Sequence, residues 1–528
     1  MKGDFSRISF DAKNHFSRVL LQQGRVTLDA DPNEEGAILL HYLRTLARDL
    51  IGPCGGPADA LGFGLTLDTS GTTPALKIGA GRYYVDGILV ENDADCDYAH
   101  QPDLEPAADD PLQQWIEKPA SGGDVWIYLD VWERHVSWIE NDAIRESALV
   151  GPDTCTRAKV VWQVRGLPRT ALLERLHAKR DRVDAELADT TITPAQAAAL
   201  RDQRAIIDAR IDALAPNADG NADADCTAPL AALDGISDAL MDVRLDPGAL
   251  VKDPCALPPD ALYRGVENQL YRVEVHRGSD AVGDPPTFKW SRDNGSVATR
   301  WLGTEGNDLM VDSSRGFTAG CWVELSFEAI ERLGMPGLLV KLVKVEAGRL
   351  GVDPDTIPSG GIALTQGMKL PKVRRWDQTE TDDITLDEGA VPLLEATGAD
   401  DHWIDLEDGI QVRFGKGGSY RSGDYWLIPA RVPSGSIEWP AAPAGATTSW
   451  QPPQGVEHHY APLTWALKSG ELSDGGCMCT IEPVGDCSRA RNRDAKRLGT
   501  VPRPPRARPK RSPAGPKSGA ARPPRPTS

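Results

Sequence analysis

The chain lacks any apolar run long enough to span a bilayer. Its first twenty residues carry Asp4, Arg7, Asp11 and Arg18, which is incompatible with the apolar core of a secretory signal. Synthesis in the cytoplasm without a signal peptide is therefore expected, with release in a larger particle as one route out. No G-x-S-x-G elbow, H-E-x-x-H helix or phosphate-cradling glycine loop occurs. The common hydrolase and nucleotide-binding signatures are thus missing, and no catalytic residue, cofactor or metal is assigned. Phenylalanine is scarce, with eight against fourteen tryptophans. Tryptophan supplies large area and a polar handle, which suits cores, interfaces and sugar platforms. The nine cysteines are scattered and read as reduced core thiols. Positive charge is short outside the C-terminus. The whole chain carries −19, and Ser488 to Ser528 hold thirteen Lys/Arg and one Asp, or +12, leaving −31 on the rest. An acidic body argues against nucleic acid as a partner.

What is present points to a β-rich protein of several modules. At 528 residues the chain exceeds one ordinary core, and 51 glycines with 41 prolines imply many turns. The start organises the rest. A polar arm and a short hairpin lead into one long amphipathic helix. Asp31 is placed to cap it, with Pro32 in its first turn, Glu34 completing a capping box, and Gly52-Pro53 ending it. Leu39, Leu43, Leu46 and Leu50 step by four, three and four, and Leu40, Ala47 and Ile51 widen that stripe, while Arg44, Arg48 and Asp49 face away. These four leucines are the candidate interaction residues. A stripe this well specified needs a partner surface, either the chain's own sheets or another subunit.

Further along, Arg82–Asn92 reads as a hairpin turning at Asp86-Gly87. Residues 102–123 read as loop. Val125–Trp132 is apolar at both odd and even positions, as in a central strand covered on both faces. From Arg169 to Leu214 two seams, Leu172-Leu176-Val183-Leu187 and Leu200-Ile207-Ile211-Leu214, predict a helical hairpin that projects from the β body. Short strands and glycine turns after Asn307 suggest a small barrel, and the stretch from Gly409 to Arg431 reads as another hairpin. Beyond Cys487 the composition is basic and low in large apolar residues, as in a disordered tail or a GC-rich gene read in another frame.

The expected fold is therefore mainly β, with β-sandwich and small-barrel modules, an N-terminal amphipathic helix, a helical-hairpin insertion and a disordered tail. The expected divisions are arm and helix at 1–52, a β domain at 53–167 continued at 217–302, the hairpin at 168–216, the barrel-like module at 303–372, a β module at 373–487 and the tail at 488–528.

Four groups of residues could carry chemistry. Asp29-Ala30-Asp31-Pro32-Asn33 resembles the start of a calcium loop, but Glu34 and Leu40 stand where Gly and Glu belong, which favours a helix cap. Asp130, Glu133, Arg134 and His135 crowd one strand end, and Asp293 sits in a turn. Paired carboxylates can cleave glycosidic bonds, yet nothing in the spacing brings two together. His458, His459, Cys477 and Cys479 could bind zinc, but C-x-C is tighter than the usual spacing. Tryptophans and tyrosines of the β modules could stack on sugars, against the plainer reading that they fill cores.

Several stretches carry a resemblance. Met1–Arg7 is M-K-G-D-F-S-R, Phe16–Val19 is F-S-R-V, Gln22–Val26 is Q-Q-G-R-V, and Leu28–Glu34 is L-D-A-D-P-N-E. IYLDVWERHVSWIE, RESALVGPDTCTR, ENQLYRVEVH, FKWSRDNGSV and YRSGDYWLIPAR fit as well. Over roughly residues 1 to 465 the chain is similar to a bacterial family of unknown biochemical activity that begins M-K-G-D-F-S/T-R, with Pro32 replacing its usual aromatic. The resemblance implies a non-enzymatic structural component of a phage-tail-like contractile particle, at the baseplate or fibre end, whose partners are other particle subunits. The alternatives are a tail protein that binds or cleaves surface glycans, and a cargo protein.

Overall fold

The computed structural model describes residues 1–482 except 105, 107–108, 119–122, 150–152, 189–193, 215–225, 234–238, 247–262, 280–283, 383, 397–401, 443–447 and 474–476. The basic tail expected to be disordered, 488–528, lies outside the described residues, as does most of the linker at 216–226. Met1–Ile481 form one compact unit, which is mainly β.

Residues 1–29 contain no strand, so the hairpin expected in the arm is absent; a 3₁₀ turn at Ala12–Asn14 and a turn at Gly24 stand there instead. Helix α1 runs Ala30–Ile51 and ends at Gly52, whose N–H donates to the Arg48 carbonyl. It starts earlier than the Asp31 cap predicted. Asp29 holds the cap position without a side-chain cap bond, because its carboxylate accepts from the Ser6 N–H instead. Strands β1 (Gly81–Val85) and β2 (Ile88–Asn92) form the expected hairpin, with Asp86 and Gly87 both at positive φ as a primed turn requires.

The segment read as loop holds helix α2 (Pro111–Glu117). Its start was legible: Asp110 accepts from the Gln113 N–H and Pro111 fills the first position. Its apolar residues Leu112, Trp115 and Ile116 are buried. Strand β3 (Val125–Val136) lies between β4 (Arg157–Pro168) and the late strand His458–Ala466, in a three-stranded sheet. Val125, Ile127, Leu129 and Val131 enter a core shared with β1, β2 and α2, while Trp126 and Tyr128 point to the opposite face. Both faces are covered, as its sequence requires.

That opposite face is covered by the helical hairpin, α3 (Arg169–Ala188) and α4 (Pro194–Leu214). Leu172, Leu176, Val183, Ile207 and Leu214 share a core with Trp126, Tyr128 and Trp465. The insertion is thus rooted in the β body rather than simply projecting from it, because two tryptophans on one sheet face must be kept from water. A disulfide, Cys226–Cys477, joins the chain just after the hairpin to the chain just after the late strand, with Cα atoms 5.3 Å apart. This corrects the reading of every cysteine as a reduced thiol. A separation of 251 residues hides such a pair from any spacing argument.

Strands β5 (Gln269–Arg277) and β6 (Thr287–Ser291) belong to a five-stranded sheet. Next come β7 (Ala298–Glu305), β8 (Asp308–Val311), β9 (Trp322–Ser326), β10 (Leu338–Glu346), β11 (Arg349–Val352) and β12 (Lys372–Trp376), closed in the order β7-β8-β11-β10-β9-β12. Closure removes both sheet edges, and Leu309, Val323, Val340, Leu342, Leu350 and Val373 fill the interior.

The stretch from Gly409 to Arg431 is not a hairpin. Ile410–Phe414 pairs with Met241–Leu245, whereas β13 (Tyr425–Arg431) pairs with β5. The two strands sit in different sheets facing one core, where the rings of Phe414 and Trp426 approach to 6.0 Å. Alternating buried residues satisfy a sandwich as well as a hairpin, so periodicity could not choose between them.

Candidate interaction site

Helix α1 lies with its polar side on the body. Arg44 pairs with Glu133 at 2.9 Å and Arg48 with Asp86 at 3.6 Å. Beneath them the β1–β2 turn presses its glycine against the helix: a Cβ on Gly87 would collide with the Arg44 backbone. Ile38 is buried, and Ile51 packs near Gly55. The leucine stripe therefore faces out. Leu39, Leu43, Leu46 and Leu50 are 58%, 49%, 43% and 75% exposed. Leu40 and Tyr42 beside them are exposed too. Of the two partner surfaces the sequence left open, the chain's own sheets take the charged face and leave the apolar one to solvent.

The arm exposes apolar residues as well. Phe16, Leu20, Leu21, Val26 and Leu28 are exposed. Carboxylates at the start of α1 hold the arm: Ser9 donates to Glu34 and the Val19 N–H to Glu35, each at 2.5 Å. The first residues are anchored differently, in a polar centre between β5, β6 and the barrel. The Met1 amino group donates to the Tyr425 hydroxyl at 2.8 Å, and Asn294 donates to the carbonyls of Met1 and Gly3. Lys2 pairs with Glu274 at 2.9 Å and lies 5.5 Å from the Trp376 ring. Around it Arg272 pairs with Glu274 and Lys289 with Glu324, both at 2.6 Å. Burial pushes the Lys2 ammonium down to about 8, with Glu274 opposing. Burial also works against the charge of Glu324, yet Lys289 and Lys2 hold its carboxyl down at about 2. A separate network ties the barrel to the first β domain: Lys372 on β12 contacts Glu140 and Glu331, and Arg134 on β3 contacts Glu328 and Glu331. The M-K-G-D-F-S-R opening thus plugs a buried charge centre, a role that no local spacing announces.

The residues considered for chemistry are dispersed into pairs. Asp130 bonds His458 at 2.7 Å and Arg165 at 3.5 Å, and Glu133 serves Arg44. Arg134 joins the Glu328–Glu331 network, and Asp293 bonds Arg375 at 2.6 Å. His135 packs edge-on to Phe5, and burial, helped by Arg374, pushes it down to about 3. His459 bonds Asp86 at 3.1 Å, and the disulfide withdraws Cys477 as a thiolate ligand from the grouping of His458, His459, Cys477 and Cys479. Asp29 and Asp31 accept from the N–H groups of Ser6 and Leu28, which is turn and helix-entry chemistry. Sugar platforms find no support either. Ten of the fourteen tryptophans are buried, and the other four, Trp138, Trp403, Trp439 and Trp450, are half-buried. Trp138 is flanked by Arg145 and Arg300, Trp403 by Arg244 and Arg413, and Trp450 by Arg413. Among the described residues, no helix is long and apolar enough to cross a membrane.

The chain belongs to a family of unknown function (DUF6519), which it matches over residues 1–304 and 307–528. The match therefore runs past residue 465 and through the basic tail. No curated protein matches. A solved structure described as the crystal structure of TssK aligns with 77% of this chain and 99% of its own, at 10% identity and a TM-score of 0.16.

Proposed function

We propose that this chain is a non-enzymatic structural subunit of a phage-tail-like contractile particle, bound to neighbouring subunits through its N-terminal arm and α1. The observation that supports this most is the outward apolar face of α1. A helix whose charged side is engaged by its own body exposes leucines at a real cost in water, unless something else covers them. The opening motif and its resemblance suggest the kind of particle. The scattering of the candidate carboxylates and histidines into separate ion pairs agrees with a scaffold. On this reading the protein is made in the cytoplasm and leaves it only as part of a released particle.

The test is incorporation. Leu43→Asp/Leu46→Asp, produced with the surrounding gene cluster, is expected to fold normally and to be absent from purified particles. Particles that contain the double variant at wild-type levels would end this reading.

A further inference from the structure

We infer that the leucine seam of α1 pairs with the same seam on a second copy of this chain. The inference rests on the reading of α1 as a docking surface and names its occupant. The spacing of Leu39, Leu43, Leu46 and Leu50 is the d-a-d-a order of a heptad repeat, and all four lie on the outward face. A leucine seam of this kind is complementary to itself, since each knob fits between side chains of an identical helix. Such pairing gives a closed, isologous contact. Leu40 and Tyr42 fall at the flanking e and g positions and are 47% and 66% exposed, so the surface is wider than the seam.

The area fits an interface between copies. At on the order of 100 Å² each, the six helix residues expose about 600 Å², the upper end for an apolar patch on a monomer. Two copies meeting through this patch would bury about 1,200 Å² in total, the lower end of a standard stable interface. The helix cannot turn this face inward, because Arg44–Glu133, Arg48–Asp86 and the Gly87 contact fix its rotation. Nor does the chain's own tail match it, since Ser488 to Ser528 offer only Leu498 and Val501 as large apolar residues.

Sedimentation equilibrium of the full chain, with the melting profile measured alongside, tests this. The wild type is expected to associate at micromolar concentration. Leu43→Asp/Leu46→Asp is expected to raise the dissociation constant about a hundredfold or more. Its melting should match that of the wild type at concentrations where both are monomeric, because these side chains are exposed within one copy. Leu302→Asp, at a 60% exposed site on the barrel, should leave association unchanged. A monomeric wild type overturns the inference. So does a loss of association by Leu302→Asp equal to that of the seam variant. If the wild type is monomeric yet the seam variant fails to enter particles, self-pairing falls while docking to a different subunit stands. If the seam variant enters particles normally, the docking reading itself falls.

Discussion

The bare Cα of Gly87 lies directly against the backbone of Arg44, with no room for a methyl group between the hairpin turn and the helix. This contact sets how α1 sits: the turn comes up under the charged side, where Arg48 pairs with Asp86 of the turn itself and Arg44 with Glu133. Gly87 also has a φ of 82°, which L side chains seldom adopt. Gly87→Ala should therefore strain the turn and lift the helix, with a loss of about 1–3 kcal/mol. Denaturant titration measures it. A variant as stable as the wild type would show that the helix is not seated on the turn.

The hairpin α3–α4 should prove inseparable from the β body. Replacing residues 169–214 with a short Gly/Ser linker uncovers Trp126, Tyr128 and Trp465, a loss of several kcal/mol at about 2–3 kcal/mol per large side chain. The deletion is expected to be poorly soluble or to melt much lower than the full chain. A deletion variant with wild-type melting would show that the sheet face needs no cover.

Breaking the polar centre at Lys2 should release the arm. Lys2→Met removes one charge from a group that also holds Glu274, Arg272, Lys289 and Glu324. Loss of a partner from such a buried set typically costs about 3–5 kcal/mol. Asn294→Ala removes the bonds to the carbonyls of Met1 and Gly3. Trypsin should then cut at Arg7 faster in both variants than in the wild type; unchanged cleavage would mean that the opening residues are held by something else.

Stability should fall on mild acidification. His135 and His276 are both held down at about 3 from an ordinary 6.5, mainly by burial, with Arg374 acting on the first and Lys289 on the second. The unfolded chain takes up these protons near pH 6.5 and the folded chain does not, so unfolding binds protons between about 6.5 and 3. The stabilisation is complete above that window and is lost as pH falls through it, by about 2 kcal/mol per histidine at pH 5. His276→Gln should flatten the pH dependence of the unfolding midpoint relative to the wild type between pH 7 and 5. An equal slope in both proteins would show that His276 is not held neutral.

The Cys226–Cys477 bond should be detectable as a reductant-sensitive stability. Closing so long a loop constrains the unfolded chain, by about 5 kcal/mol at most in a chain-entropy account. Reductant is expected to lower the melting temperature of the wild type and to leave Cys226→Ser unchanged. Identical responses in the two proteins would show that the bond does not form.

The sequence by itself determined the local elements. The d-a-d-a leucines and Gly52 specified α1, Asp86-Gly87 specified the tight hairpin, the doubly apolar Val125–Trp132 specified a central strand, and the paired seams of 169–214 specified two helices. Each is a pattern with a period of a few residues, written where the backbone itself must repeat or turn. Only the tertiary structure decided what meets what. It put the charged side of α1 on the body and its leucines in solvent, sent Ile410–Phe414 and Tyr425–Arg431 to opposite sheets, and rooted the helical hairpin on Trp126 and Trp465. It also joined Cys226 to Cys477 and drew Lys2 into a charge centre built from Arg272, Glu274, Lys289 and Glu324. The partners in these contacts lie dozens to hundreds of residues apart, and their pairing follows from which surfaces lose most by staying in water, a comparison made over the whole chain at once.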